Sequence, residues 1–115
     1  MQQEMPLWTP SDSQITSSPM YRFMTWCGSR AGRDFSDYDA FHQWSIDDRA
    51  GFWSAVWDYC GVRGEKGERL LENGDVMLKA RFFPDARLNF AENLLPESGE
   101  GDAMIFRGED KAEDR

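Results

Sequence analysis

Two prolines, Pro84 and Pro96, bracket the segment that constrains this chain most, Phe82-Phe83-Pro84-Asp85-Ala86-Arg87-Leu88-Asn89-Phe90-Ala91-Glu92-Asn93-Leu94-Leu95. Pro84 has no N–H to donate, fixes its own φ and disfavours helical backbone in the residue before it. Phe82 and Phe83 are therefore predicted to be extended. Asn89 is a good N-cap and Glu92 follows three residues later, an N-x-x-E variant of the capping box. Leu88 precedes the cap, but Asn93 occupies the position where a hydrophobic staple needs an apolar partner. Pro96 stops the helix after Leu95. Locally this is an extended segment, a turn and a short capped helix, which many unrelated proteins contain.

Upstream, helical periodicity dominates. Met1 to Thr16 is rich in Pro and Ser and reads as an irregular lead-in, with Trp8 as its one anchor, placed to dock on a neighbouring surface. Ser18-Pro19 has the form of a helix start, with Ser as N-cap and Pro in the first turn. Met20, Phe23, Met24 and Cys27 then recur at i, i+3, i+4 and i+7, an amphipathic spacing, and Gly28 or Gly32 ends the helix. Ser36 is expected to cap a second helix, with Asp39 at N3 and Tyr38, Phe41 and Trp44 on one face. A third helix opens at Asp47 or Asp48. Its stripe is Trp53, Val56, Trp57 and Cys60, with Phe52 and Tyr59 beside it and Gly61 as the stop. Residues 64–75 read as a loop with a weak turn of helix at Glu68–Glu72. Val76 to Phe83 reads as extended, Pro96 to Gly101 as a linker, Ala103 to Phe106 as a short strand and Glu109 to Arg115 as disordered. The expected fold class is mainly α with minor β.

Composition excludes several functions. The net charge is −8, from 21 acidic and 13 basic residues. Binding to nucleic acid or to an anionic membrane needs a basic face, so neither is an expected partner. The 19 residues from Glu97 to Arg115 carry seven acids and three bases, which reads as a solvated acidic surface. Met1-Gln2-Gln3-Glu4 is no charged leader, and no apolar run approaches membrane-spanning length. Cys27 and Cys60 form no CxxC pair, and the single His42 has metal-ligand spacing to neither. A small metal or thiol enzyme is thereby disfavoured, and a reduced, cytoplasmic protein with both cysteines buried as small hydrophobes fits best. His42 lies off the apolar face and is expected to be exposed. Gly64-Glu65-Lys66-Gly67 lacks the spacing and the hydroxyl residue of a phosphate loop.

The segment at Phe82–Leu95 resembles the W-F-P-G-A-R-L-N-Y-A-E-N-L-L signature of the acetoacetate–CoA ligases, a branch of the adenylate-forming acyl-CoA synthetases. Phe82, Asp85 and Phe90 stand where that signature has Trp, Gly and Tyr, so the packing of the loop at Asp85 is the point of departure. Leu7-Trp8-Thr9-Pro10-Ser11 and Phe23-Met24-Thr25-Trp26 resemble the family's opening L-W-x-P-S and F-M-x-W. Tyr38 to Ser45 and Phe52 to Tyr59 resemble its Y-x-x-L-x-x-W-S and F-W-x-x-x-W-D-F blocks. The blocks follow in family order from about Leu7 to Arg107.

The resemblance implies an accessory helical region at residues 1–96, of the kind these enzymes place before their adenylation core. It implies a linker and the start of the adenylation (AMP-binding) domain at 97–115, whose first strand would be Ala103–Phe106, and hence a truncated chain. The family activates a carboxylate with ATP and a metal ion, Mg, and passes the acyl group to CoA. Its Ser/Thr/Gly-rich loop, its nucleotide-pocket Asp and its C-terminal Lys are all missing from this sequence, so no catalytic, cofactor-binding or metal residue is assigned. The implied partner is an adenylation core, in the same enzyme or in a complementary chain, against which the aromatic-rich helices would lie. Arg81, Arg87, Asn89 and Asn93 are the polar residues to examine there, with cap, turn or salt-bridge roles as the simpler assignment. The competing function is a stand-alone helical interaction module using its aromatic face.

Overall fold

The computed structural model describes residues 5–109. Five helices and one two-stranded sheet occur in the order α1 (Asp12–Ser17), α2 (Pro19–Ala31), α3 (Tyr38–Asp47), α4 (Arg49–Tyr59), β1 (Leu71–Glu72), a 3-10 turn (Met77–Lys79), β2 (Arg81–Phe82) and α5 (Phe90–Leu94). The mainly α, minor β expectation is met. The leader reading of Met1–Glu4 lies outside the described residues, as do residues 110–115 of the expected disordered tail.

Side-chain caps set the helix starts. Ser18 accepts from the Tyr21 N–H and Pro19 occupies the first turn, while Gly32 closes α2 with φ +65°. Asp48 accepts from the Gly51 N–H and starts α4. Gly61, with φ +65°, lets Val62 N–H reach back to the Trp57 carbonyl at 3.1 Å, the six-residue closure of a Schellman motif. The α3 cap is Asp37 and not Ser36. Its Oδ1 takes the Ala40 N–H at 2.8 Å, and Ser36 Oγ donates to its Oδ2 at 3.1 Å. The expected irregular lead-in contains α1 instead. Ser11 and Gln14 form a reciprocal capping box there, with Ser11 N–H donating to Gln14 Oε1 at 2.8 Å.

α2, α3 and α4 meet around rings. Cys27, Phe35, Phe41, Trp44 and Ala55 are buried, and Phe23, Met24, Trp26 and Phe52 pack against them. The expected single stripe of α4 splits into two faces. Ala55 and Phe52 face the core, whereas Trp53 and Trp57 turn to the C-terminal segment and meet Phe82 and Phe83 at 5.9 Å and 5.1 Å between centroids. Helix α4 is a wall with packing on two sides, which one stripe cannot describe. Cys60 falls at its exposed end, so the burial expected for both cysteines holds only for Cys27; both thiols are free. His42 is exposed, stacked on Tyr38 at 6.0 Å. Trp8 is 70 % exposed, so the expected docking does not bury it among the described residues.

Beyond Gly61 the chain is held by short pairings. β1 and β2 are antiparallel with Leu71 opposite Phe82 and Glu72 opposite Arg81. The strand at Leu71–Glu72 replaces the weak helical turn expected at Glu68–Glu72. The 3-10 turn interrupts the extended run expected from Val76. Phe83 is not extended: its φ is +47°. Its N–H donates to Leu70 O and its carbonyl accepts from Ala86, both at 3.0 Å, so the turn and the Trp57 ring together hold a conformation that costs a non-glycine residue about 1–3 kcal/mol. Ala103–Phe106 forms no strand, and Met104, Ile105 and Phe106 are each more than 70 % exposed. No described segment pairs with it, and an unpaired strand has little stability.

Two outcomes follow from this packing. Phe41→Ala removes the ring at the centre of the core and should cost about 3–5 kcal/mol, read as a lowered urea midpoint and loss of near-UV circular dichroism. Burial pushes the Cys27 thiol up to about 11, against the opposing pull of Arg30. At pH 8, a thiol reagent should therefore modify Cys60 within minutes and Cys27 only in denaturant, as quantified by peptide mass spectrometry.

Candidate interaction surface

Polar clasps fix the C-terminal half to the helices. Asp58 projects from the last turn of α4 between two cations. Lys66 Nζ reaches its Oδ1 at 2.5 Å and Arg30 reaches its Oδ2 at 2.5 Å. Lys66 also donates to Ser54 Oγ at 3.0 Å. One carboxylate thus joins α2, α4 and the following loop. The Lys66 hydrogen bond holds the Asp58 carboxyl below the usual carboxylate range; burial opposes this and the charges of Lys66 and Arg30 reinforce it.

Asp85 forms a second clasp, at the position where the family signature has Gly. Arg69 grips it bidentately, Nε to Oδ2 at 2.9 Å and a terminal nitrogen to Oδ1 at 2.6 Å, and pairs with Glu72 as well. The Arg69 hydrogen bonds lower the Asp85 carboxyl.

The four polar residues singled out from the sequence are not assembled into one site. Asn89 caps α5, its Oδ1 accepting from the Glu92 N–H at 3.1 Å. Arg87 contributes backbone only, exchanging paired hydrogen bonds with Glu65 at 2.8 and 2.9 Å. Arg81 lies exposed on β2. Asn93 does the most. Its Oδ1 accepts the Arg63 N–H at 2.7 Å, and its Nδ2 donates to the Arg63 carbonyl at 2.8 Å and to Asn89 O at 2.9 Å. A single side chain reads both backbone groups of residue 63, thirty positions away. The residues that sequence reasoning missed are Asp58, Lys66 and Arg69, because long-range ion pairs leave no periodic signal.

Neither the Gly64–Gly67 loop nor the hollow beside α2 is built for a triphosphate. Lys66 is committed to Asp58 and Ser54, and the glycines beside it are closed against neighbours. A Cβ at Gly64 would lie 2.6 Å from Leu88 Cβ, and one at Gly67 would lie 2.7 Å from Asp85 Cβ. No open cradle for a phosphate exists in that loop. A hollow of about 610 Å³ beside the C-terminus of α2 is lined by one cation, Arg33, and one anion, Asp34. Arg33 is engaged over the Phe35 ring at 4.9 Å, so the hollow has no net charge for a triphosphate. Among the described residues no three His, Cys, Asp or Glu side chains are grouped to hold a metal ion, and no helix is long and apolar enough to cross a membrane.

What the surface does offer is apolar. Leu88, Phe90, Leu94 and Leu95, in and around α5, are 49–76 % exposed, and Met77 and Leu78 are almost fully exposed.

A carboxyl lowered in the folded state contributes stability above its unfolded pKa, roughly 3.9, and loses it as pH falls through the lower folded value. Asp58→Asn should therefore destabilise the chain at pH 6 and leave stability nearly unchanged near pH 2, where the wild-type carboxyl is protonated too. Urea midpoints for both proteins across pH 2–6 should converge at the acid end; parallel curves would exclude the ion pair as the cause.

Comparison with known proteins agrees with the pattern of blocks. Residues 38–94 match the family model described as the acetyl-coenzyme A synthetase N-terminus. The acetoacetyl-coenzyme A synthetase of Rhizobium meliloti is 62 % identical over 111 residues, 96 % of this chain and 17 % of the relative. A malonamoyl-CoA synthetase of Penicillium aethiopicum is 37 % identical over 77 % of this chain and 12 % of its own length. The acetoacetyl-CoA synthetase of Danio rerio is 30 % identical over 94 % and 16 %. No solved structure matches significantly. The chain spans about one sixth of the length of the two acetoacetyl-CoA synthetases and 12 % of the malonamoyl-CoA synthetase. With its family-model match and its 62 % identity, the chain belongs to the acyl-CoA synthetase family, in the N-terminal region of the acetoacetyl-CoA synthetase type.

Proposed function

We propose that this chain serves as the N-terminal packing region of an acetoacetate–CoA ligase and carries none of its chemistry. The parent reaction is acetoacetate + ATP + CoA to acetoacetyl-CoA + AMP + pyrophosphate. Identity of 62 % across 96 % of the chain to a protein named for that activity carries the reading. The division into an accessory region at 1–96 and the beginning of an adenylation domain at 97–115 is part of the proposal. So are a cytoplasmic location and dependence on ATP, Mg and CoA held by an adenylation core. Support for the division comes from the absence of helix and strand across 96–109, just after α5.

A second reading, a free-standing interaction module, is favoured by the exposed apolar residues of α5 and the 3-10 turn. It differs in its aromatic element, since the rings of α2–α4 pack mainly on one another.

Acetoacetate-dependent pyrophosphate release distinguishes the readings. The chain alone should release none above background. The chain joined in frame to the remaining sequence of the Rhizobium meliloti synthetase, in place of its matched 111 residues, should release pyrophosphate and form acetoacetyl-CoA. Turnover by the chain alone would overturn the assignment, and so would an inactive hybrid.

A further inference from the structure

Helix α5 is built the wrong way round for a chain that stands by itself. Its polar Asn93 is the half-buried residue and holds both backbone groups of Arg63. Its apolar residues face outwards: Phe90 is 76 % exposed, Leu94 62 % and Leu95 68 %, with Leu88 at 49 % just before the cap. A surface helix normally does the opposite, burying its apolar side and leaving amides in water. Five residues cannot sustain a helix in water by propensity alone. The Asn89 cap and the Asn93 clamp therefore hold α5 in place without using any of its apolar surface.

We propose that the outward side of α5 is the seat of the synthetase body, and that the aromatic helices are not. The inference rests on the preceding reading and names the face through which it works. The occupant follows from length and continuity. Relatives of the same type carry about five sixths of their polypeptide beyond the part matched here. From α5 this chain runs without helix or strand into Met104-Ile105-Phe106, a second exposed apolar run. A body tethered through that run is presented to α5 at high effective concentration. The core rings of α2–α4 are already engaged, Phe41 alone having four rings within 6.0 Å, and the exposed aromatic residues of these helices, Tyr38, Trp53 and Tyr59, are 40–57 % exposed, less than Phe90, Leu94 or Leu95.

The test places a thiol at Leu94. In a Cys60→Ser background, Leu94→Cys should react with a maleimide rapidly in the isolated chain. It should react about 100-fold more slowly in the full-length Rhizobium hybrid, as expected for a position shielded at the centre of an interface. Phe90→Glu should lower the thermal midpoint of the hybrid while leaving that of the isolated chain nearly unchanged. An active hybrid whose Leu94→Cys thiol still reacts freely overturns the inference and leaves the family reading standing. An inactive hybrid removes both. Slow labelling in the isolated chain, accompanied by a dimer in sedimentation, would assign the face to a second copy and overturn the inference.

Discussion

Phe41 sits 3 % exposed with Phe23, Phe35, Trp44 and Phe52 around it, at centroid separations of 5.1–6.0 Å. Those four rings come from α2, the α2–α3 loop, α3 and α4. Each edge-to-face or tilted pair adds about 0.5–1.5 kcal/mol beyond area burial. A chain of this size buries a smaller fraction of its surface than a large domain does, and among the described residues only five apolar ones are buried. Phe and Trp bring the most apolar area per residue ordered, which is why a polar, 30 % charged sequence folds around rings. The mutual orientation of α2, α3 and α4 follows from bringing their rings together at Phe41.

The C-terminal half obeys a different rule. None of its described residues is buried, so it is fixed by directed contacts: Lys66 to Asp58, Arg69 to Asp85, Asn93 to Arg63, and the Glu65–Arg87 bridge. Exposed ion pairs are individually weak. Here they act beside backbone pairing and two ring contacts, Trp53–Phe82 and Trp57–Phe83. The result is a segment of defined shape but modest local stability, suited to being completed by another surface.

The helical half was legible because its signals are local. Ser18-Pro19, Asp48, Gly32 and Asn89 terminate helices by chemistry confined to one turn. The Ser36 expectation missed by one residue because Ser and Asp compete for the same role at adjacent positions, and the carboxylate accepts the stronger bond. The lead-in was misread because proline and serine content was weighed above the Ser11–Gln14 box. Strand pairing at Leu71–Phe82 and the backbone of Phe83 depend on partners ten or more residues away, and neither periodicity nor proline rules register those. Asn93 illustrates the limit. Its failure to complete a staple was visible, whereas its clamp on Arg63 requires the fold.

That clamp also reverses an expectation about the surface. Aromatic abundance suggested a partner-facing aromatic side, yet the core rings of α2–α4 largely satisfy one another, while the 3-10 turn and α5 leave Met77, Leu78, Phe90, Leu94 and Leu95 exposed. Four of these five are aliphatic or thioether side chains, which carry no polar handle that water could stabilise at an exposed position. Holding Phe90, Leu94 and Leu95 outward through Asn93 keeps α5 in a single orientation before any contact is made. A surface fixed in advance loses less conformational freedom on association than one that must order at that moment. The polar clasp and the apolar face are thus two sides of one device: the amide spends its hydrogen bonds on residue 63 so that the leucines remain available.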